Sequence, residues 1–431
     1  MRNEEKKNTH NKQEVPAESS KNIIGNKEMK KTGSDVPSFS KEGGERERYS
    51  SKNSKSVNSK TIIPKGTLLE YRVKRLMFYM GYYPKVNIDI RTSYEEPSDI
   101  ITDLDVYGIY IHKDFTLKTL WADCKSGGVK IHDRISWIKG IMNAIQINDV
   151  LFIAGGVRTS VKQYARTSGI QILDLSVLDK LEHDYEIKKD DWRGSWNPST
   201  QYNMITTLSK IAIPTNEIYK KIVKFISSDY WVLDNFSKFK KAITALRELS
   251  TVSQFPLNEG EMNSVKWAVY ELVNLVLLAV LNISKELYYF TDAEKKETIL
   301  DGLTSGEVSN QKRKEIFDAA FKVAYGMVKS QVPEFSPPVQ MPVINLNPPG
   351  YSEAFYDLIL RVTNNPFNYY DLLRFLDLLF MEYDLQSKKI DSVVMKEMFP
   401  DYEKLIIGAK TVLHFICNTT NIPREYFQLI N

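Results

Sequence analysis

The stretch TDLDVYGIYIHKDFTLKTLWADCKSGG occupies residues 102–128 and decides the fold of the first half of the chain. Two β-rich runs, 103–111 and 117–124, flank the turn-like segment HKDFT. Two such runs around a short polar turn are typical of a β-hairpin. Each run is mostly aliphatic or aromatic, and each contains an aspartate within that apolar surrounding. The sequence therefore predicts a hairpin whose two strands both present an acid.

Charged residues near the end of this hairpin form a pattern that favours a metal site. Side chains two apart on a strand point to the same face, about 7 Å apart along it, so Asp123 and Lys125 project together. In a paired hairpin, Asp105 lies across from Asp123 on that face. Two adjacent carboxylates repel unless a cation joins them, and Mg²⁺ prefers oxygen ligands of this kind. We therefore expect Asp105 and Asp123 to share a divalent ion.

The elements on either side of the hairpin predict an α/β fold. An amphipathic helix precedes it and ends at Gly81, with Glu70 beside the apolar stripe. The further predicted elements are a strand at 85–92, a helix at 133–147, strands at 150–154 and 170–173, a helix at 159–167, and another helix that begins at 177. The order α-β-β-β-α-β-α-β predicts a mixed sheet flanked by helices.

Taken together, a glutamate on the first helix, an aspartate in an apolar strand and a D-x-K at the end of the next strand resemble the PD-(D/E)XK nuclease superfamily. The run as far as Leu178 is similar to its restriction-endonuclease-like branch, and VLFIAGGVRTSVKQYARTSGIQILD, residues 150–174, is similar to the strand-helix-strand that follows the signature there. The resemblance covers residues 66–179, under a third of the chain. It implies a restriction-endonuclease-like core.

The resemblance also implies roles for four residues. Asp105 and Asp123 bind Mg²⁺, for which Mn²⁺ can substitute, Lys125 is the catalytic lysine, and Glu70 is the helix acid that completes the metal shell or orients the nucleophile. The implied activity is an endonuclease that hydrolyses phosphodiester bonds in DNA, with RNA left open, in a bacterial defence or repair setting. Two features depart from the pattern: Leu104 replaces the family proline, and HDRISWIKG stands where a Gln-x-x-x-Tyr helix motif is usual.

Several alternatives remain open at the level of sequence. A D-x-K alone arises often by chance on solvent-facing strands, and a helix glutamate such as Glu70 is commonly just solvated. Asp103 competes with Asp105, because both lie on the same strand face. The whole chain also fits a second class of protein: a catalytically inactive nuclease fold that binds or senses DNA and has a regulatory helical region.

Basic residues beside the expected site predict contacts with nucleic-acid phosphates. Each of them is equally typical of a solvated helix start. The candidates on and around the two helices that follow the hairpin are Lys130, His132, Arg134, Lys139, Arg158 and Lys162.

The whole chain divides into five predicted regions. These are a disordered basic arm at 1–60, a nuclease-like domain at 61–185, an α-helical domain at 190–332, a Pro-rich connector at 333–350 and an α-helical C-terminal part at 351–431. Residues 1–65 contain 15 Lys and Arg against 9 Asp and Glu, while the whole chain has a net charge of +4. The arm is therefore typical of a solvated spacer or of a phosphate-binding segment.

Composition points to a cytoplasmic protein without a membrane span. The chain has two cysteines, which argues against a disulfide framework, and its first residues lack the apolar core of a signal peptide. The apolar run 272–283 contains Asn274 and Asn282 and is shorter than a membrane span, so we expect a buried helix. The helical region carries no catalytic motif, and we expect it to mediate a homodimer or to bind a partner protein.

Overall fold

The computed structural model describes residues 63–94, 98–128, 130–145, 147, 149–252, 254–305, 310–336 and 347–430. At residues 305 and 310–314 it describes the backbone alone. The predicted arm at 1–60 and residues 337–346 of the predicted connector lie outside the described residues.

Five strands form one mixed sheet in the order β1-β2-β3-β4-β5. The first three pair antiparallel, and β4 and β5 then add in parallel to β3. This confirms the predicted mixed sheet and the predicted hairpin. The strands are β1 Tyr83–Arg91, β2 Ile100–Ile111, β3 Leu117–Cys124, β4 Asp149–Ile153 and β5 Ile170–Leu173.

Helices cover both faces of this sheet, because apolar side chains alternate above and below the strands. On one face α1 packs Leu69 and Val73 against Val106. On the other, α2 packs Ile135 and Ile138 with strand residues that include Trp121 and Phe152. These helices are α1 Lys65–Tyr79, α2 Ile131–Ile145, α3 Thr159–Thr167 and α4 Leu175–Asp184.

The second half of the described chain is helical, as predicted. Its longest helix, α8, has 29 residues and is long and apolar enough to cross a membrane, yet 94% of its apolar window is buried inside the protein. It acts as the central core helix. The helices are α5 Pro198–Lys210, α6 Asn216–Ser227, α7 Asn235–Val252, α8 Glu259–Leu287, α9 Asp292–Ser305, α10 Asn310–Gln331, α11 Ser352–Asn364, α12 Leu372–Leu378, α13 Ser392–Met398 and α14 Tyr402–Thr420.

One hydrophobic core joins the sheet region to the helical region. Phe78 of α1 and Ile109 of β2 belong to the same cluster of buried side chains as α8 and α12. The ring of Phe78 lies 4.6 Å from that of Trp196, in the segment that connects the two regions. The described residues from 63 onward accordingly belong to one compact unit.

Buried polar contacts fix α1 from its outer side. The buried ammonium of Lys74 donates to the carbonyl of Ser195 at 2.7 Å, and the hydroxyl of Ser195 donates to Asp377 of α12. Arg75 pairs with Glu182 at 2.8 Å. Because burial makes an unpaired polar group costly, these contacts hold α1 in a single orientation. The helix that carries Glu70 is thus positioned by residues of the helical region.

Candidate active site

The two aspartates of the hairpin meet at the end of its ladder. The β2–β3 pairing runs as far as Val106 opposite Ala122, and Asp105 and Asp123 occupy the next position on each strand. The backbone N–H of Cys124 donates to Oδ2 of Asp105 at 2.7 Å. Both carboxylates are buried, with Asp105 6% and Asp123 1% exposed.

Lys125 bridges these two carboxylates. Its Nζ lies 3.0 Å from Oδ2 of Asp105 and 3.2 Å from Oδ1 of Asp123. Its backbone N–H donates to the carbonyl of Ile153 at 2.9 Å, which anchors the residue to β4. Burial lowers the pKa of Lys125, but the charges of Asp123 and Asp105 outweigh that effect and raise it. Lys125 is therefore a stable cation between two acids.

Glu70 adds a third carboxylate to the neighbourhood. It lies in the second turn of α1 and is half-buried. Burial, reinforced by the negative charge of Asp105, raises its pKa to about 7, although Lys125 acts in the opposite direction. Burial likewise raises the pKa of Asp105, to which the charge of Asp123 adds. Asp105 thus repels both Glu70 and Asp123, and this arrangement favours the arrival of a cation.

Arg134 occupies the remaining side of Asp123. Its Nε donates to Oδ2 of Asp123 at 2.8 Å and its Nη2 donates to Oδ1, so the guanidinium grips both oxygens. The guanidinium carbon also lies 3.7 Å from the ring centre of Trp137, one turn further along α2. From the sequence, Arg134 is a predicted phosphate-binding residue, whereas the structure places it as the partner of a site aspartate.

The other predicted phosphate-binding residues lie outside this contact network. Lys130, His132, Lys139 and Arg158 are exposed, and Lys162 pairs with Asp174 at 3.4 Å. Lys139 follows Arg134 by five positions on α2, which rotates it by about 140° around the helix axis.

An exposed aromatic pair stands near these basic residues. The ring of His132 lies 5.7 Å from that of Tyr164, which is 47% exposed. Tyr164 is not among the residues predicted from the sequence. A tyrosine at an exposed helix position leaves no periodic signal.

The structure also separates the two competing aspartates of β2. Asp103 is exposed and stands opposite Asp89 of β1. Asp105 instead contacts both Cys124 and Lys125. The aspartate that meets the D-x-K is therefore Asp105.

The two carboxylates are ligands of the kind that a hard divalent ion takes. Within the described residues no three His, Cys, Asp or Glu side chains come close enough to form a metal-binding group. Mg²⁺, however, commonly binds through one or two carboxylates and keeps several waters, so Asp105 and Asp123 suffice as protein ligands. Binding would require Arg134 to give up part of its hold on Asp123.

Comparison of the chain with protein-family models, with curated proteins and with solved structures found no match in any of the three.

Proposed function

We propose that this protein is a metal-dependent endonuclease of the restriction-endonuclease-like type, which hydrolyses phosphodiester bonds in DNA. The observation that carries the proposal is the bridge of Lys125 between Asp105 and Asp123. An acid on each of two paired strands and a lysine two residues after the second acid are the parts that metal-assisted phosphate hydrolysis needs. The element order α-β-β-β-α-β-α-β supports the same fold type.

Each residue of the site has a defined task in this reaction. Asp105 and Asp123 would hold the ion. When bound, such an ion lowers the pKa of water and neutralises charge on phosphate oxygens. Nζ of Lys125 then donates hydrogen bonds to the attacking water and to the phosphate oxygen on which charge develops. A carboxylate with a pKa near 7 can accept a proton at neutral pH, so Glu70 is suited to take the proton of that water.

A cleavage assay tests the proposal. The purified full-length chain is incubated with plasmid, single-stranded DNA and RNA in parallel, with Mg²⁺, with Mn²⁺ or with a chelator. The expected result is nicking or linearisation of plasmid that requires the metal and is lost in the Asp123→Asn variant. Absence of cleavage with either metal on every substrate would refute the proposal. The three substrates also decide between DNA and RNA.

One observation favours a second function, that of a non-catalytic DNA-binding or DNA-sensing protein. Arg134 and Lys125 together contact both oxygens of Asp123, so protein cations already satisfy the carboxylate that a metal needs. A scaffold that has lost its metal would be stabilised in this way. Titration calorimetry with Mg²⁺ discriminates the two functions, because only the enzyme binds an ion in a manner that Asp105→Asn abolishes.

An exposed apolar face on α10 supports self-association. Ile316, Val323 and Met327 are 55%, 64% and 63% exposed, and with Ala320 they recur at intervals of four, three and four residues. Such a stripe on a helix of 22 residues, about 33 Å long, is typical of a coiled-coil seam. The occupant that fits is a second copy of this chain, because cleavage of a duplex needs two active sites and each copy presents the same stripe.

A further inference from the structure

The guanidinium of Arg134 and the metal proposed for this site need the same oxygens. A carboxylate offers two oxygens with about four acceptor positions in all. Arg134 uses one position on each oxygen of Asp123, and Lys125 uses a further one on Oδ1. The side chain of Asp123 is only 1% exposed, so water has little access to what remains. An ion cannot reach Asp123 while the guanidinium of Arg134 and the ammonium of Lys125 both contact its carboxylate.

A stacking contact with Trp137 supports the guanidinium of Arg134. The guanidinium carbon of Arg134 lies 3.7 Å from the ring centre of Trp137, and that ring makes an edge contact of 6.0 Å with Trp121, two residues before Asp123 on β3. A planar guanidinium on an indole face retains this contact when it rotates, because the attraction does not depend on one hydrogen-bond direction. The side chain of Arg134 is 22% exposed, which leaves it a way out towards solvent.

We propose that Arg134 competes with the metal for Asp123 and that, once displaced, its guanidinium binds a phosphate of the nucleic acid. This inference rests on the proposed function, since it requires the metal site. A guanidinium suits both tasks, because its fork matches a carboxylate and a phosphate equally well. Metal and substrate therefore reinforce each other: the ion releases the arginine, and the phosphate keeps it from returning.

The exposed surface beside the fork is suited to receive the phosphate. Ser126, Gly127 and Gly128 are exposed between β3 and α2, and a Cβ added to either glycine would meet no atom within 4 Å. A nucleic-acid backbone can thus approach this loop closely. Arg134 lies in the first turn of α2, directly after the loop.

Two affinities measured on the same variant test the inference. Mg²⁺ binding to the full-length chain is measured by titration calorimetry without nucleic acid. Duplex binding is measured by fluorescence anisotropy at saturating Mg²⁺, on a duplex whose phosphorothioate linkages resist hydrolysis, because Arg134 is released only when the ion is bound. For Arg134→Gln we expect Mg²⁺ to bind about tenfold more tightly, because the competitor is gone. We expect duplex binding to weaken and its salt dependence to fall by about one unit of slope, as for the loss of one phosphate contact. Opposite changes in the two affinities are the signature of a residue that serves both ligands.

Two further variants keep the test decisive. Lys139→Gln removes the same charge from an exposed position on the same helix, and its Mg²⁺ affinity should stay within twofold of wild type. Arg134→Lys keeps the charge but loses the fork, and should give an intermediate Mg²⁺ affinity even if the glutamine variant folds poorly. A Mg²⁺ affinity that is unchanged or weaker in both Arg134 variants overturns the inference. If neither wild type nor any variant binds a divalent ion, the proposed function falls with it.

Trp137 provides a readout that is independent of catalysis. Rotation of the stacked guanidinium away from Asp123 changes the position of its charge over the Trp137 ring, so Mg²⁺ should change the intrinsic fluorescence of the wild-type chain. The change should be largely absent from the Trp137→Phe variant and from Arg134→Gln. Equal changes in all three proteins would contradict a movement of Arg134.

Discussion

The backbone N–H of Cys124 donates to Oδ2 of Asp105, and at 2.7 Å this bond ties the acid of β2 to the D-x-K of β3. The contact depends on an acceptor oxygen and does not require a charge. An asparagine at position 105 can keep it through its amide oxygen. The structural and the chemical contributions of Asp105 can therefore be separated by a single substitution.

For Asp105→Asn we expect a folded protein that has lost its ion. Cleavage should fall at least about 100-fold, because the metal supplies several kcal/mol of stabilisation to the transition state. The melting temperature should change little. Calorimetry with Mg²⁺ and plasmid cleavage measure the effect, and Asp103→Asn, at an exposed position on the same strand, is the matched control. Full activity of the Asp105 variant would remove this residue from the site.

Lys125→Met should separate catalysis from metal binding. Loss of a charged donor at the developing oxyanion typically lowers the rate by about 10² to 10³. Mg²⁺ affinity should not fall and is expected to rise, because the ammonium no longer neutralises the two carboxylates it contacts at 3.0 and 3.2 Å. Lys118→Met is the control on an exposed part of the same strand. A parallel loss of metal binding would indicate that Lys125 serves mainly to organise the site.

The raised pKa of Glu70 predicts how the metal-free protein responds to pH. The folded chain holds this proton up to about pH 7, whereas the ordinary value is 4.5. Between these values the folded state binds more protons than the unfolded state, so this group makes the protein less stable as pH rises from 4.5 through 7. Above that window its contribution stays constant.

Glu70→Gln isolates this contribution. Relative to that variant, wild type should lose on the order of 1 to 2 kcal/mol of unfolding free energy between about pH 5 and pH 8, after a discount for the solvent that screens a half-buried group. Urea denaturation in chelator measures the difference. Curves for the two proteins that stay parallel across this range would show that Glu70 is solvated.

Lys74 offers a test of how α1 is positioned. Lys74→Met removes a buried ammonium that donates to Ser195 and neighbours Asp377, so polar groups are left without a partner. The expected loss is about 2 to 4 kcal/mol of unfolding free energy. Lys65→Met, at the exposed start of the same helix, should change stability by less than about 0.5 kcal/mol. Equal stability of the two variants would mean that the contact does not hold α1.

The apolar face of α10 predicts the oligomeric state. Val323→Glu places a charge within the stripe and should convert a dimer to a monomer, as measured by size-exclusion chromatography with light scattering. Lys322→Glu changes an exposed residue on the other side of the helix and should leave the dimer intact. A wild-type chain that is monomeric at high concentration would exclude this seam.

Most of the α/β region could be predicted from the alternation of apolar and polar side chains along its strands. The hairpin could be predicted because apolar and β-branched side chains fill β2 and β3 and the turn between them is polar and short. Its strand boundaries differ from the prediction only at the start of β2, where Ile100 begins the strand before Asp103. Because Ile111 pairs with Leu117 across the turn, the antiparallel register brings Asp105 level with Asp123.

Helix α5 shows what periodicity could not predict. Its buried positions include Gln201, whose Oε1 accepts a hydrogen bond from Trp267 at 2.8 Å. A helix that buries a polar side chain leaves no apolar stripe in the sequence. The start signals were nevertheless present, since the Asn197 side chain accepts from the N–H of Thr200 and Pro198 occupies the first turn.

Helix α9 lies in the predicted helical domain at 190–332, and its start has a signature in the sequence. Thr291 and Glu294 exchange side-chain-to-backbone hydrogen bonds in the manner of a capping box.

The pairing of Arg134 with Asp123 could not be predicted from such local signals, because it depends on the angle at which α2 leaves the sheet. That angle follows from packing between distant residues, which a single sequence does not encode locally.

The shared core of Phe78, Ile109 and the helical region has a consequence for modularity. An α/β unit with its own core can be excised or joined to a different partner domain. Here removal of the helical region would expose the face of α1 that carries Phe78 and the face of β2 that carries Ile109 to water. The sheet region that carries the candidate site and the helical region are thus constrained to change together over evolution.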